Sequence, residues 1–305
     1  MGMPGGGIPV VRLHYSADPT MTPEKVADLR ARYTSEARFR RECEIQYEAL
    51  EGELLYPQFN RERNIVQPFD VSDPDYWTIW MGLDPHPRTA HGLVWEAFNK
   101  HGDQLVIGEL WPEIGTRYGA SDGGRWSTRD YAEAIKFFEG DSMTKPSPFR
   151  WARGKKLHVG GRRFMDTFGK AANSGATDAA VQDENFFETY QRLGNELKVN
   201  LAFQSALKGH ENLAKAQDTI ARKLNPSDGG GPPIMRVFAD CYETIDEFEN
   251  VRFPEGTPER PADERPITYQ KHCLDCIHYI ETARPGHILR RRMVSQPPSN
   301  APGAR

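Results

Sequence analysis

The chain is short of several things that mark common protein classes. Its 305 residues hold only four cysteines, Cys43, Cys241, Cys273 and Cys276. Cys273 and Cys276 form a Cys-x-x-Cys pair, but no second pair is spaced to complete a zinc site, so the thiols read as reduced. No apolar run approaches the length of a bilayer span. The opening "MGMPGGGIPVV" lacks the basic start and long apolar core of a signal peptide, and Gly6 stands where a myristoylation signal needs Ser or Thr. No Gly-x-x-x-x-Gly-Lys-Ser/Thr occurs, which removes the phosphate-binding P-loop from consideration. A large excess of either charge is also missing. The formal charge of −4 gives no global nucleic-acid signature, although an enzyme meeting DNA through a local patch remains compatible with it.

What is present is an ordinary globular composition, 38% hydrophobic and 27% charged, in a chain long enough for one large domain or two small ones. The stretch "WTIWMGLDPHPRTAHGLVWEAF", residues 77 to 98, is its most informative segment. An apolar run climbs from Trp77 to Leu83 and stops at one acid, Asp84. An ionised carboxylate at the end of a buried strand is costly unless it is paired or bound to a metal. Asp84 therefore either caps a turn or holds a cation.

The spacing predicts three strands over 77–84, 90–98 and 103–111, joined by the short connections "PHPRT" and "NKHG", hence antiparallel hairpins. Upstream, 22–51 reads as helical, with Thr22 as N-cap and Pro23 in the first turn. "GELLYPQFNRERNIVQPFDVSDPDY" reads as a polar connector. Downstream come a helix over 127–140 capped by Ser127, a fourth strand "RRFMD" ending at Asp166, and the Gly-, Ala- and Ser-rich loop "TFGKAANSGATDAAVQ". A helix "DENFFETYQRLG", a fifth strand "LKVNLAFQ", the amphipathic helix "HENLAKAQDTIARKL", a strand in "PPIMRVFADC" and a short helix over 241–249 follow. A Pro-rich excursion over 251–266 leads to a last helix, "TYQKHCLDCIHYIETA", and to a basic tail read as disordered. Three antiparallel strands, a helix, then strands alternating with helices describe an α/β fold with a mixed sheet flanked by helices. This is the strand order of a ribonuclease H-like fold. The expected division is a helical linker over 1–60, the nuclease-like domain over 61–283 and the tail over 284–305.

If the first and fourth strands are neighbours, Asp84 and Asp166 emerge at one sheet edge. A third acid, Asp275, sits on the last helix. Three such carboxylates suit two hard divalent cations. Two ions roughly 3.5–4 Å apart can activate a water and stabilise the leaving oxygen in phosphodiester cleavage. Each acid alone has a bland reading: an Asp before Pro as a turn former, an Asp before Thr as a cap, an Asp on a helix as a solvated face. Their coincidence at two strand ends and one helix favours the site. Glu109, late in the third strand, is a further candidate ligand or a surface position. Arg88, Lys170, Lys155 and Lys156 are candidate contacts for a DNA backbone. His86 and His91 read as structural or DNA-facing. Asp178, Asp183 and Glu184, around the Gly-rich loop, read as solvated or capping.

These residues carry a family likeness. In "RFRRECEIQYEALEGELLYPQF", "GLDPHPRTAHGLVWEAF" followed by "LVIGELW", "RRFMDTFGKAANSG" and the closing "YQKHCLDCIHYI", the chain resembles the C-terminal nuclease part of the large terminase subunit of tailed bacteriophages, over roughly 36 to 283. The resemblance implies a ribonuclease H-like endonuclease that cuts concatemeric viral double-stranded DNA during genome packaging and uses two Mg²⁺ or Mn²⁺ ions. It matches the family's first two acids to Asp84 and Asp166. Relatives carry an acid early in the last helix and another one turn on. Here Lys271 and His272 stand early and Asp275 stands later, on the same helix face as Lys271, so the resemblance implies Asp275 as the third metal ligand, or His272 or Glu109 in its stead if the early position is essential. The resemblance also implies a packaging ATPase part, a small terminase subunit and a portal as partners, no membrane, and a soluble protein in the cytoplasm of the infected bacterial host. With no P-loop, the chain reads as the nuclease half alone, from a split gene or a fragment, and is not expected to hydrolyse ATP. Two other readings stay open: a catalytically silent docking module for DNA or a packaging partner, aided by the basic run Arg290 to Arg292, and a resolvase- or transposase-like nuclease of the same fold.

Overall fold

The computed structural model describes residues 15, 18–32, 39–40, 43–44, 53–85, 91–110, 126–140, 147, 149–152, 155–166, 185–207, 209–225, 231–253 and 271–288. In chain order the elements are α1 (Pro23–Ala31), α2 (Arg61–Asn64), β1 (Ile65–Val66), β2 (Trp77–Asp84), β3 (Gly92–Asn99), β4 (Gln104–Leu110), α3 (Thr128–Glu139), β5 (Arg163–Met165), α4 (Phe186–Leu197), β6 (Phe203–Ser205), α5 (His210–Leu224), β7 (Met235–Phe238), α6 (Tyr242–Asn250) and α7 (His272–Thr282).

The seven strands form one mixed sheet in the order β1-β7-β4-β3-β2-β5-β6. β2, β3 and β4 are antiparallel neighbours. β5 then pairs parallel with β2 and β6 parallel with β5, while β7 pairs parallel with β4 and β1 with β7. This is the α/β, ribonuclease H-like arrangement expected from the sequence. Every residue of β2 and β3 is buried, because helices cover both faces of the sheet, and this explains why neither strand alternates apolar with polar.

The two faces are packed differently. On one, Trp95 of β3 meets Phe138 of α3, and its indole N–H donates to Glu139 Oε1 at 3.0 Å. Arg163, the first residue of β5, closes a two-point ion pair with Glu139, each contact 2.7 Å. A bidentate pair of this kind holds β5 against β2 and α3, and loss of either partner leaves an uncompensated buried charge. On the other face, Trp80, Phe98, Phe164 and Ile280 form a small cluster beneath α7.

Local signals explain most boundaries. Ser127 and Asp130 form a reciprocal capping box that starts α3, as expected from Ser127. Asn185 and Glu188 do the same for α4. α4 runs on past the expected end because Phe186, Tyr190, Leu193 and Leu197 keep helical spacing, and it stops only where Lys198 turns left-handed, at φ 56°. The expected fifth strand therefore shrinks to Phe203–Ser205. The expected connector contains α2 and the two-residue edge strand β1. Leu55 and Tyr56, in the same connector and upstream of α2, are buried in the main core, so the connector is not polar throughout. Just past α7, Gly286 O accepts from the Trp80 indole N–H at 3.0 Å, so the first tail residues lie against β2. The Gly-rich loop over 167–182, most of residues 33–51 in the helical stretch expected over 22–51, most of the 251–266 excursion and the tail from 289 lie outside the described residues. Among the described residues no helix is long and apolar enough to cross a membrane.

Candidate active site

Asp84 is the last residue of β2, and Asp166 immediately follows β5. The parallel register pairs Met81 with Arg163, Gly82 with Phe164 and Leu83 with Met165. Continued by one residue, it sets Asp84 beside Asp166, and residues paired in this way project to the same face. The expected convergence of two acids at one sheet edge is what the topology produces.

α7 lies directly on that face, and two glycines allow it. A Cβ on Gly82 would sit 2.5 Å from the carbonyl oxygen of Cys276, and one on Gly92 would sit 2.8 Å from Cβ of His272. Only a residue without a side chain permits this approach. The thiol of Cys276 donates to Gly92 O at 3.2 Å, and burial pushes both Cys273 and Cys276 well above the ordinary thiol range. These cysteines are packing residues. The first residue before the helix, Lys271, provides no side-chain cap. Glu247 of α6 replaces it, accepting from the backbone N–H groups of Cys273 and Leu274 at 3.1 and 2.7 Å. The start of α7 is thereby fixed in both depth and rotation.

Fixed there, α7 delivers His272, Asp275 and Tyr279, spaced three and four apart on one face. His272 Nδ1 is 2.7 Å from Asp84 Oδ2, and the Tyr279 hydroxyl donates to Asp84 Oδ1 at 2.9 Å. Burial pushes the Asp84 carboxyl up, the hydrogen bond to His272 opposes this, and the charge of Asp275 adds to it; the net direction is upward. Tyr279 is raised well above the ordinary phenol range, first by burial and then by Asp84, Asp275 and Asp166. One phenol thus senses all three acids and remains a hydrogen-bond donor at neutral pH.

Asp275 has a different environment. Lys271 Nζ contacts both of its carboxylate oxygens, at 2.7 and 2.9 Å. His278 Nδ1 lies 3.4 Å from Oδ1, and Nε2 of the same ring is 2.6 Å from the Tyr56 hydroxyl. Burial works to raise this carboxyl, but the His278 hydrogen bond and the Lys271 charge together prevail and hold it below the usual carboxylate range. Burial lowers His278, which keeps the imidazole neutral.

The other candidates fall elsewhere. Glu109 on β4 faces α6, where its two oxygens accept from the N–H groups of Glu243 and Thr244 and from the Thr244 hydroxyl at 2.7–2.8 Å. It caps a helix that has no side-chain cap of its own. His91 stacks on Tyr131 with centroids 4.3 Å apart and is buried, a structural role. Lys155 and Lys156 are exposed, and Lys155 pairs with Asp70 at 3.2 Å. Arg88, Lys170, His86, Asp178, Asp183 and Glu184 lie outside the described residues.

Among the described residues no three His, Cys, Asp or Glu side chains are gathered around one point. Asp84 and Asp166 are nevertheless chemically suited to one hard divalent cation, which accepts few protein oxygens and keeps its own waters. A buried carboxyl raised by desolvation and by a neighbouring acid is also the kind of group whose ionised form a cation offsets. Sequence reading missed Tyr279, His278 and Tyr56. The spacing 272, 275, 279 carried a signal for Tyr279, whereas Tyr56 is 222 residues from His278 and has no local signal.

No protein-family model and no curated protein matches the sequence. Solved structures do match in shape. The large terminase of a thermophilic bacteriophage superposes with a TM-score of 0.54 at 13% identity, covering 90% of this chain and 55% of that one. The same phage protein in complex with ATP-gamma-S gives 0.54 at 13% identity, over 88% and 54%. The P22 large terminase nuclease domain gives 0.47 at 10% identity, over 77% of this chain and 94% of that one. This chain therefore spans about half the length of the thermophilic phage protein. Its seven-stranded mixed sheet flanked by helices is the ribonuclease H-like fold, shared with the large terminase of that phage.

Proposed function

We propose that this chain is a divalent-metal-dependent DNA endonuclease of the terminase type, cutting concatemeric viral double-stranded DNA during genome packaging. One observation carries the reading: Asp84 and Asp166 end adjacent parallel strands in register, beneath a helix that presents His272, Asp275 and Tyr279 to the same edge. Asp84 and Asp166 would hold Mg²⁺ or Mn²⁺, and the ion would supply Lewis-acid chemistry at the phosphate. The reaction is hydrolysis. A bond forms between the water oxygen and phosphorus, and the bond from phosphorus to the 3′-oxygen breaks, leaving a 5′-phosphate and a 3′-hydroxyl. His272 and Tyr279 hold the two oxygens of Asp84 in fixed directions, the part that outer hydrogen bonds play around metal ligands. Lys155 and Lys156, with Arg88 and Lys170, contact the backbone. Such contacts position the duplex without reading its sequence, so cutting is sequence-tolerant and affinity falls steeply with salt. A packaging ATPase, a small terminase subunit and a portal are the partners this role requires, in the host cytoplasm.

A second reading, a silent module that docks DNA or a packaging partner, is favoured by one observation: Lys271 neutralises Asp275. Cleavage of supercoiled plasmid separates the two. The expected result is nicking and linearisation with Mg²⁺ or Mn²⁺, none with chelator, and none with Asp84→Asn. DNA binding without cutting in either metal overturns the nuclease and leaves the docking module.

A further inference from the structure

The number of ions is legible in how the two helix-facing acids are occupied. Asp275 Oδ1 accepts from both Lys271 Nζ at 2.7 Å and His278 at 3.4 Å, and Oδ2 accepts from Lys271 at 2.9 Å. A carboxylate oxygen has two lone-pair sites, so Oδ1 is filled. The Lys271 side chain is itself only 11% exposed, and residues 271 and 275 are one turn apart at the start of one helix. His278 is held in turn by Tyr56 from the far side. An ionised Asp275 can only accept, so Nδ1–H of His278 is the donor, and Nε2 of the neutral ring is left to accept from the Tyr56 hydroxyl. A second dication at Asp275 would have to dislodge this ammonium or sit beside it in a buried site.

Asp84 is occupied differently. Among the described residues each of its oxygens takes a single hydrogen bond, from His272 on Oδ2 and from Tyr279 on Oδ1. Each keeps a lone pair directed elsewhere, and Asp166 lies beside it on the neighbouring strand.

We propose that the site takes one divalent cation, at Asp84 and Asp166, and that the buried Lys271 ammonium on Asp275 is its second positive charge. This rests on the nuclease reading and deepens it. Lys271 is a positioning residue here: it occupies Asp275 permanently, where an exchangeable ion would come and go, and it keeps a fixed charge at the edge where a phosphate diester is to be cut. The three acids then face one dication and one ammonium, a combined charge of +3 against −3.

The test is ion stoichiometry, read by calorimetric titration of the full chain with Mn²⁺ and by electron paramagnetic resonance of bound Mn²⁺, with plasmid cleavage measured in parallel. The expected result is one Mn²⁺ per wild-type chain, none for Asp84→Asn, and two for Lys271→Asp, with circular dichroism showing the variants folded. Lys271→Met, which frees Asp275 without adding charge, serves where Lys271→Asp does not fold, and it is also expected to take two. Two ions on the wild-type chain, or one on a folded Lys271 variant, overturns the assignment of Lys271 while metal-dependent cutting keeps the nuclease reading intact. No Mn²⁺ bound and no cutting by the wild-type chain overturns both.

Discussion

The Tyr279 hydroxyl donates to Asp84 Oδ1 at 2.9 Å, joining the last helix to the end of the first long strand. Its proton is firmly held, because burial and three nearby acids push the phenol well above its ordinary range. Tyr279→Phe removes that donor, keeps the ring packing, and leaves Asp84 held by His272 alone. Loss of an outer hydrogen bond to a metal ligand typically costs about 10–100-fold in metal affinity or activity. The expected outcome is a drop of that order in Mn²⁺ affinity and in plasmid cutting, with an unchanged melting temperature within a few degrees. Unaltered Mn²⁺ affinity in a folded variant would remove Tyr279 from the site.

Glu109 offers the opposite case, an acid near the sheet edge whose work is structural. It receives two backbone N–H groups and a hydroxyl at the start of α6. Glu109→Ala should cost about 1–2 kcal/mol, the usual price of a lost helix cap. For a domain of this size that is a fall in melting temperature of about 2–8 °C. Mn²⁺ stoichiometry and cutting at 20 °C should be unchanged. Loss of bound metal in this variant would place Glu109 among the ligands.

These two residues show what a sequence discloses. Asp84 and Asp166 were legible because each ends a strand-like stretch, and the order of hairpins and crossovers put those stretches side by side. Lys271 and Asp275 were legible as neighbours on one helix face, but not as a closed ion pair, since spacing alone does not orient side chains. Glu109 looked like a ligand because its actual partners, Glu243 and Thr244, lie more than 130 residues away. Tyr279 carried only the spacing it shares with His272 and Asp275, because an aromatic on an amphipathic helix usually packs in the core. β1 was hidden in a polar connector because a two-residue edge strand takes its register from β7 rather than from its own pattern. Contacts that cross the fold are made by packing, and no local window of sequence contains them.

A pH dependence follows from the buried network at the other end of α7. Glu96 on β3 is fully buried, its Oε1 accepting from Gln104 at 3.0 Å and its Oε2 without a hydrogen-bond partner among the described residues. Burial, then the charge of Glu281, raises it from 4.5 to about 8, against the hydrogen bond from Gln104 and the charge of Lys223. Between pH 4.5 and 8 the folded chain therefore binds a proton that the unfolded chain has lost. Folding stability falls as pH rises across that window, by up to about 1.4 kcal/mol per pH unit. Glu109, raised to about 7 mainly by burial, contributes with the same sign. Glu96→Gln should flatten the dependence, so that denaturant unfolding finds the variant more stable than wild type at pH 8.5 and nearly equal at pH 5. Parallel stability profiles for the two proteins would show that Glu96 does not titrate in this range.

Gly82 sets the distance between the strand that ends in Asp84 and the helix that bears Tyr279. A Cβ there would lie 2.5 Å from the Cys276 carbonyl oxygen, and that neighbour is helix backbone. A methyl group cannot be absorbed by rotating a side chain, so Gly82→Ala must move α7 outward. Overpacking of this kind costs about 1–3 kcal/mol. The displacement also acts on His272 and Tyr279, both of which reach Asp84 from the displaced helix. The expected result is a chain that still unfolds cooperatively, at a melting temperature lowered by about 2–12 °C, and that cuts DNA at least tenfold more slowly at a temperature where it is fully folded. A variant that loses stability but keeps its cutting rate would separate the packing of α7 from the orientation of Asp84. Equal losses in metal affinity for Gly82→Ala and Tyr279→Phe would tie both to the same hydrogen bond.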